Sequence, residues 1–320
     1  MKALVTGGCG FIGSNIVQRL VERGDSVIVL DDLSTGNSTW IPTEARLVIG
    51  KVEDRDVLVD LMADVDIVFH FQAHADVRNG PQNIATDYRQ NFLCTKMVLE
   101  AMRATNVKRI VFPSSAVVYG EPSVFPTPES YAGVQTSIYA ANKLACEAWI
   151  QAYSAYFGIE YLIFRFVSWI GEHYHHGVIA DFVNKLRINP SELEILGNGH
   201  QKKSYLYVKD GVDGIFGAID YHKWNQIYNL GHSTFEDVNS LALTVCTTIG
   251  LDRVTFKYTG GERGWIGDSP FVHLDCSKIN SDTGWIARTP IAEGVKRTVI
   301  DILSRDDAGN FKFSDAHSKR

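Results

Sequence analysis

The sequence lacks the features that define several classes of protein. Its five cysteines are an odd number and none lies in a C-x-x-C pair, so neither a disulfide framework nor a thiolate zinc site is indicated. This cysteine usage favours a reducing compartment. No apolar run reaches the roughly 18 to 20 residues that a membrane span needs, and the opening MKALVTGGCGFIGS holds too short an apolar stretch for a signal peptide. We therefore expect a soluble cytoplasmic protein.

Runs of basic residues are also missing. The 320 residues include 31 Lys and Arg against 37 Asp and Glu, which gives a net charge of −6 and a pI of about 5.9. A mildly acidic chain without basic runs is a poor candidate for nucleic-acid binding. We expect neither a nucleic acid nor a membrane as partner. A small anionic substrate is compatible with this balance, because a few local Lys and Arg residues suffice.

The first half of the chain alternates short β-branched runs with helical stretches. Strands are predicted at 2–7, 26–32, 45–50, 66–71, 108–115 and 159–166, and helices at 13–23, 54–63, 90–105 and 139–157. Strands that are apolar along their whole length and alternate with helices predict a parallel sheet covered on both faces. After about residue 168 the pattern loosens. There we predict helices at 178–188, 209–221, 237–249 and 291–303 and strands at 204–208, 254–258 and 271–274, with a frayed polar tail.

Glycines recur where the first predicted strand turns into the first predicted helix. Gly7, Gly10 and Gly13 are spaced G-x-x-G-x-x-G, which permits a tight turn and close approach of the backbone to a pyrophosphate at a helix N-terminus. Asp31 ends the next strand about 20 residues on, where it can accept hydrogen bonds from the adenosine ribose. Because a carboxylate there repels a 2′-phosphate, the pattern favours NAD over NADP.

These patterns together predict the fold class and the domains. We expect an α/β fold with a Rossmann-type doubly wound parallel sheet and a smaller mixed α/β C-terminal substrate lobe. The NAD-binding domain is predicted to span 1–167 together with about 204–232, and the substrate-binding lobe 168–203 and 233–320.

A tyrosine and a lysine lie four positions apart in the segment SIYAANK (137–143). On a helix, residues i and i+4 share a face, so Tyr139 and Lys143 project together. We expect the ammonium, helped by the positive nicotinamide, to lower the pKa of the phenol and make it a usable base. Ser115 ends a predicted strand 24 residues upstream, where ligands sit in an open α/β sheet. Beside NAD, these three side chains predict hydride transfer on a secondary alcohol.

The stretches TGGCGFIG, SSAVVYG (114–120) and YAANK resemble the extended short-chain dehydrogenase/reductase superfamily, in its NAD-dependent sugar-nucleotide epimerase/dehydratase branch. The stretches 176–210 and 263–279 are similar to archaeal-type UDP-galactose (UDP-glucose) 4-epimerases in particular. The resemblance covers nearly the whole chain. It implies a tightly held NAD, a nucleotide-sugar substrate between the lobes, and a homodimer formed through a four-helix bundle from 91–105 and 139–157.

The resemblance also implies a role for individual residues. Its catalytic trio falls on Ser115, Tyr139 and Lys143. Its cofactor-binding positions fall on Gly7, Gly10, Phe11, Ile12, Gly13, Asp31, Asp32, Ser34, Thr35, Gly36, Asn37, Lys51, Val52, Phe71, Gln72, Ala73, Asn91, Ser114, Tyr139, Lys143, Phe166 and Ser168. The substrate-binding positions that we predict are Arg78, Ser115, Ser168, His176, Val178, Lys203, Tyr205, Arg263 and Asp268. No metal is expected.

Several positions depart from the pattern of the family. Dehydratases and decarboxylases of this branch carry an acid just before V-Y-G, and here Ala116 and Val117 stand there. Without a carboxyl group, proton transfer at C5 and C6 has no agent, which argues against dehydration. Other departures affect the substrate and cofactor contacts: Ser168 for an asparagine, Gly171-Glu172 for Gly-Pro, Lys203 for an arginine, Lys51 for an aspartate and Gln72 for a small residue. These departures argue against the usual UDP-hexose as the substrate, but they do not affect the fold or the residues predicted for hydride transfer.

A dense trio of histidines, His173, His175 and His176, invites a zinc site. Its spacing fits no standard ligand set, so we favour a polar loop that contacts sugar or phosphate. His74 and Asp76 follow a predicted strand end, where they either face the sugar or belong to a surface loop. The leading interpretation is an NAD-dependent nucleotide-sugar 4-epimerase. The alternatives are a nucleotide-sugar dehydrogenase or reductase of the same family and a non-catalytic NAD-binding protein.

Overall fold

The structure, a computed structural model, describes residues 1–75, 82–265 and 267–306, apart from the side chain of residue 306. Its strands are β1 (Lys2–Thr6), β2 (Ser26–Asp31), β3 (Arg46–Ile49), β4 (Ile67–His70), β5 (Arg109–Ser115), β6 (Glu160–Phe166), β7 (Ser168–Ile170), β8 (Glu192–Ile195), β9 (Lys202–Lys203), β10 (Tyr205–Tyr207), β11 (Gln226–Leu230), β12 (Glu236–Asp237), β13 (Thr255–Tyr258) and β14 (Phe271–Val272). Its α-helices are α1 (Phe11–Glu22), α2 (Arg55–Met62), α3 (Ile84–Asp87), α4 (Cys94–Thr105), α5 (Ile138–Phe157), α6 (Val178–Ile188), α7 (Val208–Asp220), α8 (Val238–Ile249), α9 (Ser277–Thr283) and α10 (Ile291–Asp306). A π-helix (Tyr88–Leu93) joins α3 to α4, and short 3-10 helices lie at Ser38–Trp40 and Ala116–Tyr119.

Seven strands form one sheet in the order β11-β6-β5-β4-β1-β2-β3, and every neighbouring pair is parallel. The order reverses between β1 and β4, so their carboxyl ends border the crevice where ligands bind in doubly wound sheets. The predicted fold class is confirmed.

The two faces of the sheet bury different helices, because side chains alternate along each strand. In β1, Ala3 and Val5 belong to the core that includes α1 and α7. Leu4, between them, belongs to the core that includes α2, α4 and α5. All three are completely buried. Burial on both sides explains why the strand sequences read as continuous apolar runs.

The first six strands lie within one residue of their predicted bounds, whereas later elements differ more. The helix predicted at 90–105 begins at residue 84 and contains the π-helix, and the strand predicted at 271–274 ends at residue 272. The pattern missed strands β7, β8, β9, β11 and β12 and helix α9. Strand β11 adds 226–230 to the large sheet, but the predicted domain boundaries stay a prediction. The tail predicted to be frayed lies largely outside the described residues.

The C-terminal part packs three helices and three small sheets around its own apolar side chains. Helix α10 packs against α8 and α6, and β7 pairs with β10, β13 with β8, and β9 with both β12 and β14. In the described ranges, no helix combines the length and the apolar character needed to cross a bilayer. All five cysteines fall within these ranges, and none is in a disulfide.

Candidate active site

The glycine turn leaves no room for side chains. Gly7 has φ +69°, and a Cβ on it would lie 2.5 Å from the backbone nitrogen of Gln72. A Cβ on Gly13 would lie 2.1 Å from the carbonyl oxygen of Gly7. Helix α1 begins after Gly10 without a side-chain cap, so the N–H groups of its first turn are available to a ligand. These features fit the pyrophosphate of a dinucleotide.

Asp31 is held against the glycine turn by two backbone donors. Its Oδ2 accepts from the N–H of Cys9 at 2.9 Å, and its Oδ1 accepts from the N–H of Leu33 at 2.9 Å. Burial raises the pKa of this carboxyl. Each carboxylate oxygen can accept more than one hydrogen bond, so lone pairs remain for ribose hydroxyls.

The loop after Asp31 folds back over the glycine turn. Asp32 accepts from the N–H of Ser34 at 3.0 Å, and the N–H of Asn37 donates to the carbonyl of Cys9 at 2.9 Å. A Cβ on Gly36 would lie 2.8 Å from the Cβ of Cys9. The predicted ribose loop and the glycine loop therefore lie in direct contact. The remaining predicted members of these loops are half-buried Ile12, buried Phe11 and exposed Thr35.

Three half-buried residues, Phe71, Gln72 and Ala73, follow β4 directly beside Gly7. The side-chain oxygen of Gln72 is buried and has no hydrogen-bond partner among the described residues. A buried amide oxygen without a partner is costly, and a bound cofactor can satisfy it. Beyond β3, Val52 is buried and Lys51 is exposed. These positions fit NAD.

The predicted catalytic side chains come from two neighbouring elements. Helix α5 begins after Ser137, whose hydroxyl accepts from the N–H of Ala140 at 3.1 Å, so Tyr139 lies in its first turn. The ammonium of Lys143 donates to the carbonyl of Pro113 at 2.9 Å and lies 5.8 Å from the Tyr139 ring centroid. Within the described ranges the Tyr139 hydroxyl makes no hydrogen bond. Ser115 ends β5, the strand that carries Pro113.

Burial dominates the electrostatics of this pair. Burial raises the pKa of Tyr139, and the carboxylate of Asp87 raises it further. Burial lowers the pKa of Lys143 to about 8. In the protein alone, burial outweighs any effect of the ammonium on the pKa of the phenol. The sequence prediction includes a bound nicotinamide, and for that complex it stays a prediction.

A buried ion pair fixes α5 to the sheet. Arg165 on β6 donates to both carboxylate oxygens of Glu147 at 3.0 and 2.7 Å. The hydroxyl of Ser114 donates to the same carboxylate at 2.5 Å. Glu147 is 1% exposed and lies one turn after Lys143. Sequence reasoning missed Glu147, although its position four residues after Lys143 places both on one helix face.

Asn91, which lies in the π-helix, holds the loop that follows β4. Its side-chain oxygen accepts from the N–H of His74 at 3.2 Å, and its amide nitrogen donates to the carbonyl of His74 at 3.0 Å. The amide also donates to Asp87 at 2.5 Å. The His74 Nδ1 lies 3.6 Å from Asp87, which is fully buried. The predicted substrate contact Arg78 lies outside the described residues, as does Asp76.

The predicted diphosphate contacts are paired with acids of the chain itself. The ammonium of Lys203 donates to Asp268 at 2.5 Å. Arg263 donates to both carboxylate oxygens of Glu121 at 2.5 and 2.9 Å. The other predicted positions on this side lie apart in the fold: buried Phe166 ends β6, exposed Ser168 begins β7, buried Tyr205 lies on β10 and half-buried Val178 begins α6.

The histidine loop packs against Trp40 and against the first turn of α1. The ring of His173 stacks on Trp40 with centroids 4.9 Å apart, and its Nδ1 lies 2.8 Å from the hydroxyl of Ser14. The Nδ1 of His175 lies 3.1 Å from the carbonyl of His173, and the exposed His176 stacks parallel to Tyr174. No three His, Cys, Asp or Glu side chains in the described part of the chain are grouped so as to hold a metal.

Glu172, which stands where the family has a proline, has partners of its own. The Tyr207 hydroxyl donates to its carboxylate at 2.5 Å, and the Lys209 ammonium lies 3.7 Å from it. The carboxylate of Glu172 therefore has its partners at the end of β10 and the start of α7.

Comparison with known proteins places the chain among sugar-nucleotide enzymes. The family model described as "NAD dependent epimerase/dehydratase family" matches residues 3–231. A protein of Methanocaldococcus jannaschii, provisionally named a UDP-glucose 4-epimerase, is 35% identical over 302 residues, which cover 92% of this chain and 96% of the relative. A solved UDP-galactose 4-epimerase is 35% identical, with a TM-score of 0.87 over 95% of this chain and 99% of its own. The dTDP-glucose 4,6-dehydratase of Streptomyces venezuelae, solved with NAD, is 26% identical, with a TM-score of 0.89 over 96% and 98%. The chain is therefore an NAD-dependent enzyme and belongs to the NAD-dependent epimerase/dehydratase family.

Proposed function

We propose that the protein is a nucleotide-sugar 4-epimerase that oxidises C4 to a 4-keto intermediate and then reduces it again. The observation that carries the proposal is the Tyr139 hydroxyl, which has no hydrogen-bond partner in the described ranges and lies one helical turn from Lys143. A phenol so placed beside a dinucleotide site can exchange a proton with a sugar hydroxyl.

The relatives include both epimerases and dehydratases, so the choice between them depends on the residues that follow Ser115. Ala116 and Val117 form the start of a 3-10 helix there, and neither carries a group that transfers protons. Dehydration needs an acid or base at C5 and C6 in addition to the redox step. Epimerisation needs only the redox step and a proton carrier at C4, which Tyr139 supplies. This difference favours epimerisation.

Each member of the trio has one task in the proposed reaction. When bound, oxidised NAD supplies the hydride acceptor and a positive charge that favours the phenolate. Tyr139 removes the proton of the C4 hydroxyl and later returns it. Ser115 donates a hydrogen bond to the C4 oxygen. Lys143 keeps two further N–H donors beyond the one given to Pro113, and these bind the nicotinamide ribose.

The same proposal includes a homodimer. Helix α5 and the π-helix expose aromatic side chains: Tyr88 is 49%, Trp149 36% and Tyr156 81% exposed. Apolar surface of this extent on adjacent helices favours burial against a second copy. A cytoplasmic location, indicated by the unpaired cysteines, stays a prediction.

A panel of UDP-, dTDP-, GDP- and CDP-sugars, with NMR detection of inversion at C4, tests the function. We expect inversion of at least one of them without release of NADH. Tyr139→Phe should lower turnover about 10²- to 10⁴-fold and leave bound NAD in place. Tyr156→Phe serves as the control, because it removes a tyrosine hydroxyl from an exposed position on the same helix. Unchanged turnover in Tyr139→Phe contradicts the mechanism, and stoichiometric NADH identifies a dehydrogenase instead.

A further inference from the structure

Four charged side chains form one network on the predicted substrate side. Arg263 is bound by both carboxylate oxygens of Glu121, and its Nη1 also donates to the backbone carbonyl of Asp268 at 2.7 Å. The side chain of Asp268 accepts from Lys203 at 2.5 Å and from the N–H of Gly264 at 3.0 Å. Two cations and two acids give this network a net charge of zero. A nucleoside diphosphate adds about two negative charges, and its binding is less favourable while both acids keep their present contacts.

The two acids differ in how firmly they are held. Asp268 is 4% exposed and each of its carboxylate oxygens has a partner. The Glu121 side chain is 47% exposed, and its carboxylate bonds to Arg263 alone among the described residues. An exposed ion pair contributes little stability, whereas a buried and fully bonded carboxylate is costly to displace. Glu121 is therefore the acid that an incoming anion displaces.

The backbone fixes Glu121 at this position. The residue before it, Gly120, has φ +62°, and a Cβ there would lie 2.0 Å from the carbonyl of Val134. Gly120 caps the 3-10 helix that follows Ser115, so Glu121 begins the loop after that helix. The fork of a guanidinium binds carboxylate and phosphate with the same geometry. Glu121 occupies that fork on Arg263.

We propose that Glu121 competes with the diphosphate of the substrate for Arg263 and thereby sets the affinity for nucleotide. This inference rests on the proposed function, because it takes a nucleotide sugar as the substrate. The nucleotide binds by exchanging one anion for another on the same guanidinium. Removal of the carboxylate leaves the Arg263 guanidinium free to bind the diphosphate, so affinity rises.

Calorimetric titration with UDP, and separately with dTDP, tests the proposal without requiring turnover. Glu121→Gln should bind the nucleotide about three- to tenfold more tightly than the wild type. The matched control is Glu262→Gln, which removes an exposed acid that acts on Arg263 only through the longer-range field. This control should change affinity by less than about twofold. In an Arg263→Gln background the gain from Glu121→Gln should disappear, because the two residues act through one contact.

The outcomes separate this inference from the function on which it rests. Equal affinity in the wild type and Glu121→Gln overturns the inference, and so does an equally large gain in Glu262→Gln. A gain that persists in the Arg263→Gln background also overturns it, because the effect would not pass through the guanidinium. If neither UDP nor dTDP binds to any form of the protein, the inference fails, whereas the proposed function fails only if no sugar nucleotide of the panel is inverted at C4.

Discussion

Two helical glycines give opposite predictions for the same substitution. Gly13→Ala places a Cβ 2.1 Å from the carbonyl oxygen of Gly7, whereas Gly217→Ala in α7 places one no closer than 3.9 Å to any atom outside its own helix. Alanine in place of a helical glycine gains about 1 kcal/mol of intrinsic propensity. At Gly217 that gain is retained, and we expect the free energy of unfolding to rise by about 0.5 to 1 kcal/mol.

At Gly13 the steric overlap outweighs the gain. An ordinary contact begins at 3.4 Å, so the 2.1 Å approach demands a backbone shift of more than an ångström in the glycine turn. Overpacking of this kind costs about 1 to 3 kcal/mol, so after the gain of about 1 kcal/mol in propensity we expect a net loss of up to about 2 kcal/mol. Because the shift moves the backbone around Gly7 and Gly10, the affinity for NAD should fall at least about tenfold.

Urea denaturation measures the two changes in stability, and the NAD content of the purified protein measures cofactor affinity. Gly217→Ala controls for the general effect of alanine in a helix and should retain NAD. A Gly13→Ala protein with full NAD content and wild-type stability refutes the steric reasoning. A comparable loss of stability in both variants does so as well.

Three further predictions concern α5 and its partners. The pKa of Lys143 lies at about 8 in the folded protein and at 10.5 when unperturbed, so the unfolded chain binds more protons between these pH values. As pH rises from 8 to 10.5, the free energy of unfolding of the wild type should therefore rise by up to about 3 kcal/mol relative to that of Lys143→Met. A pH-independent difference in urea midpoints contradicts this. Glu147→Gln leaves the buried Arg165 guanidinium without its anionic partner and should lower the free energy of unfolding by about 3 to 5 kcal/mol. The double variant with Arg165→Met should recover part of this loss, and no recovery would show that the ion pair is not its cause. Trp149→Glu with Tyr156→Glu should yield monomers in sedimentation velocity, and an unchanged dimer would exclude this surface as the interface.

Sequence patterns predicted the elements whose residues are uniformly apolar. Strands β1, β2 and β4 to β6 are largely buried on both faces, so their composition identified them, whereas the half-exposed edge strand β3 was identified by its apolar residues Leu47 to Ile49. Strand β11 reads QIYNL, and its polar Asn229 is completely buried. That residue accepts from the Tyr119 hydroxyl at 2.6 Å and donates to two carbonyls from distant segments. A polar residue satisfied by partners more than forty positions away in sequence resembles a loop residue when only its neighbours are considered.

The candidate active site shows the same division. The glycine spacing and the Tyr139 to Lys143 spacing are local, and both indicated their elements from sequence alone. The pairing of Arg263 with Glu121 joins residues 142 positions apart, and no local pattern encodes it. The pKa of Tyr139 depends on burial and on Asp87, which approaches from another helix. The spacing of residues therefore identified Tyr139 and Lys143, whereas tertiary packing sets their pKa values.

The π-helix at Tyr88–Leu93 has a consequence for how this segment tolerates changes in length. A π-turn carries one residue more than an α-turn, and each residue of an α-helix advances the side chains by about 100°. Deletion of Gln90 would allow a regular α-helix to run from α3 into α4, and the buried face of α4 would remain packed on the sheet. The flanking turns would stay in register, so Asp87 would keep its direction, whereas Asn91 within the π-helix would turn away from its present contacts with His74. At this point the number of residues, rather than their chemical identity, sets the direction in which the polar side chains face.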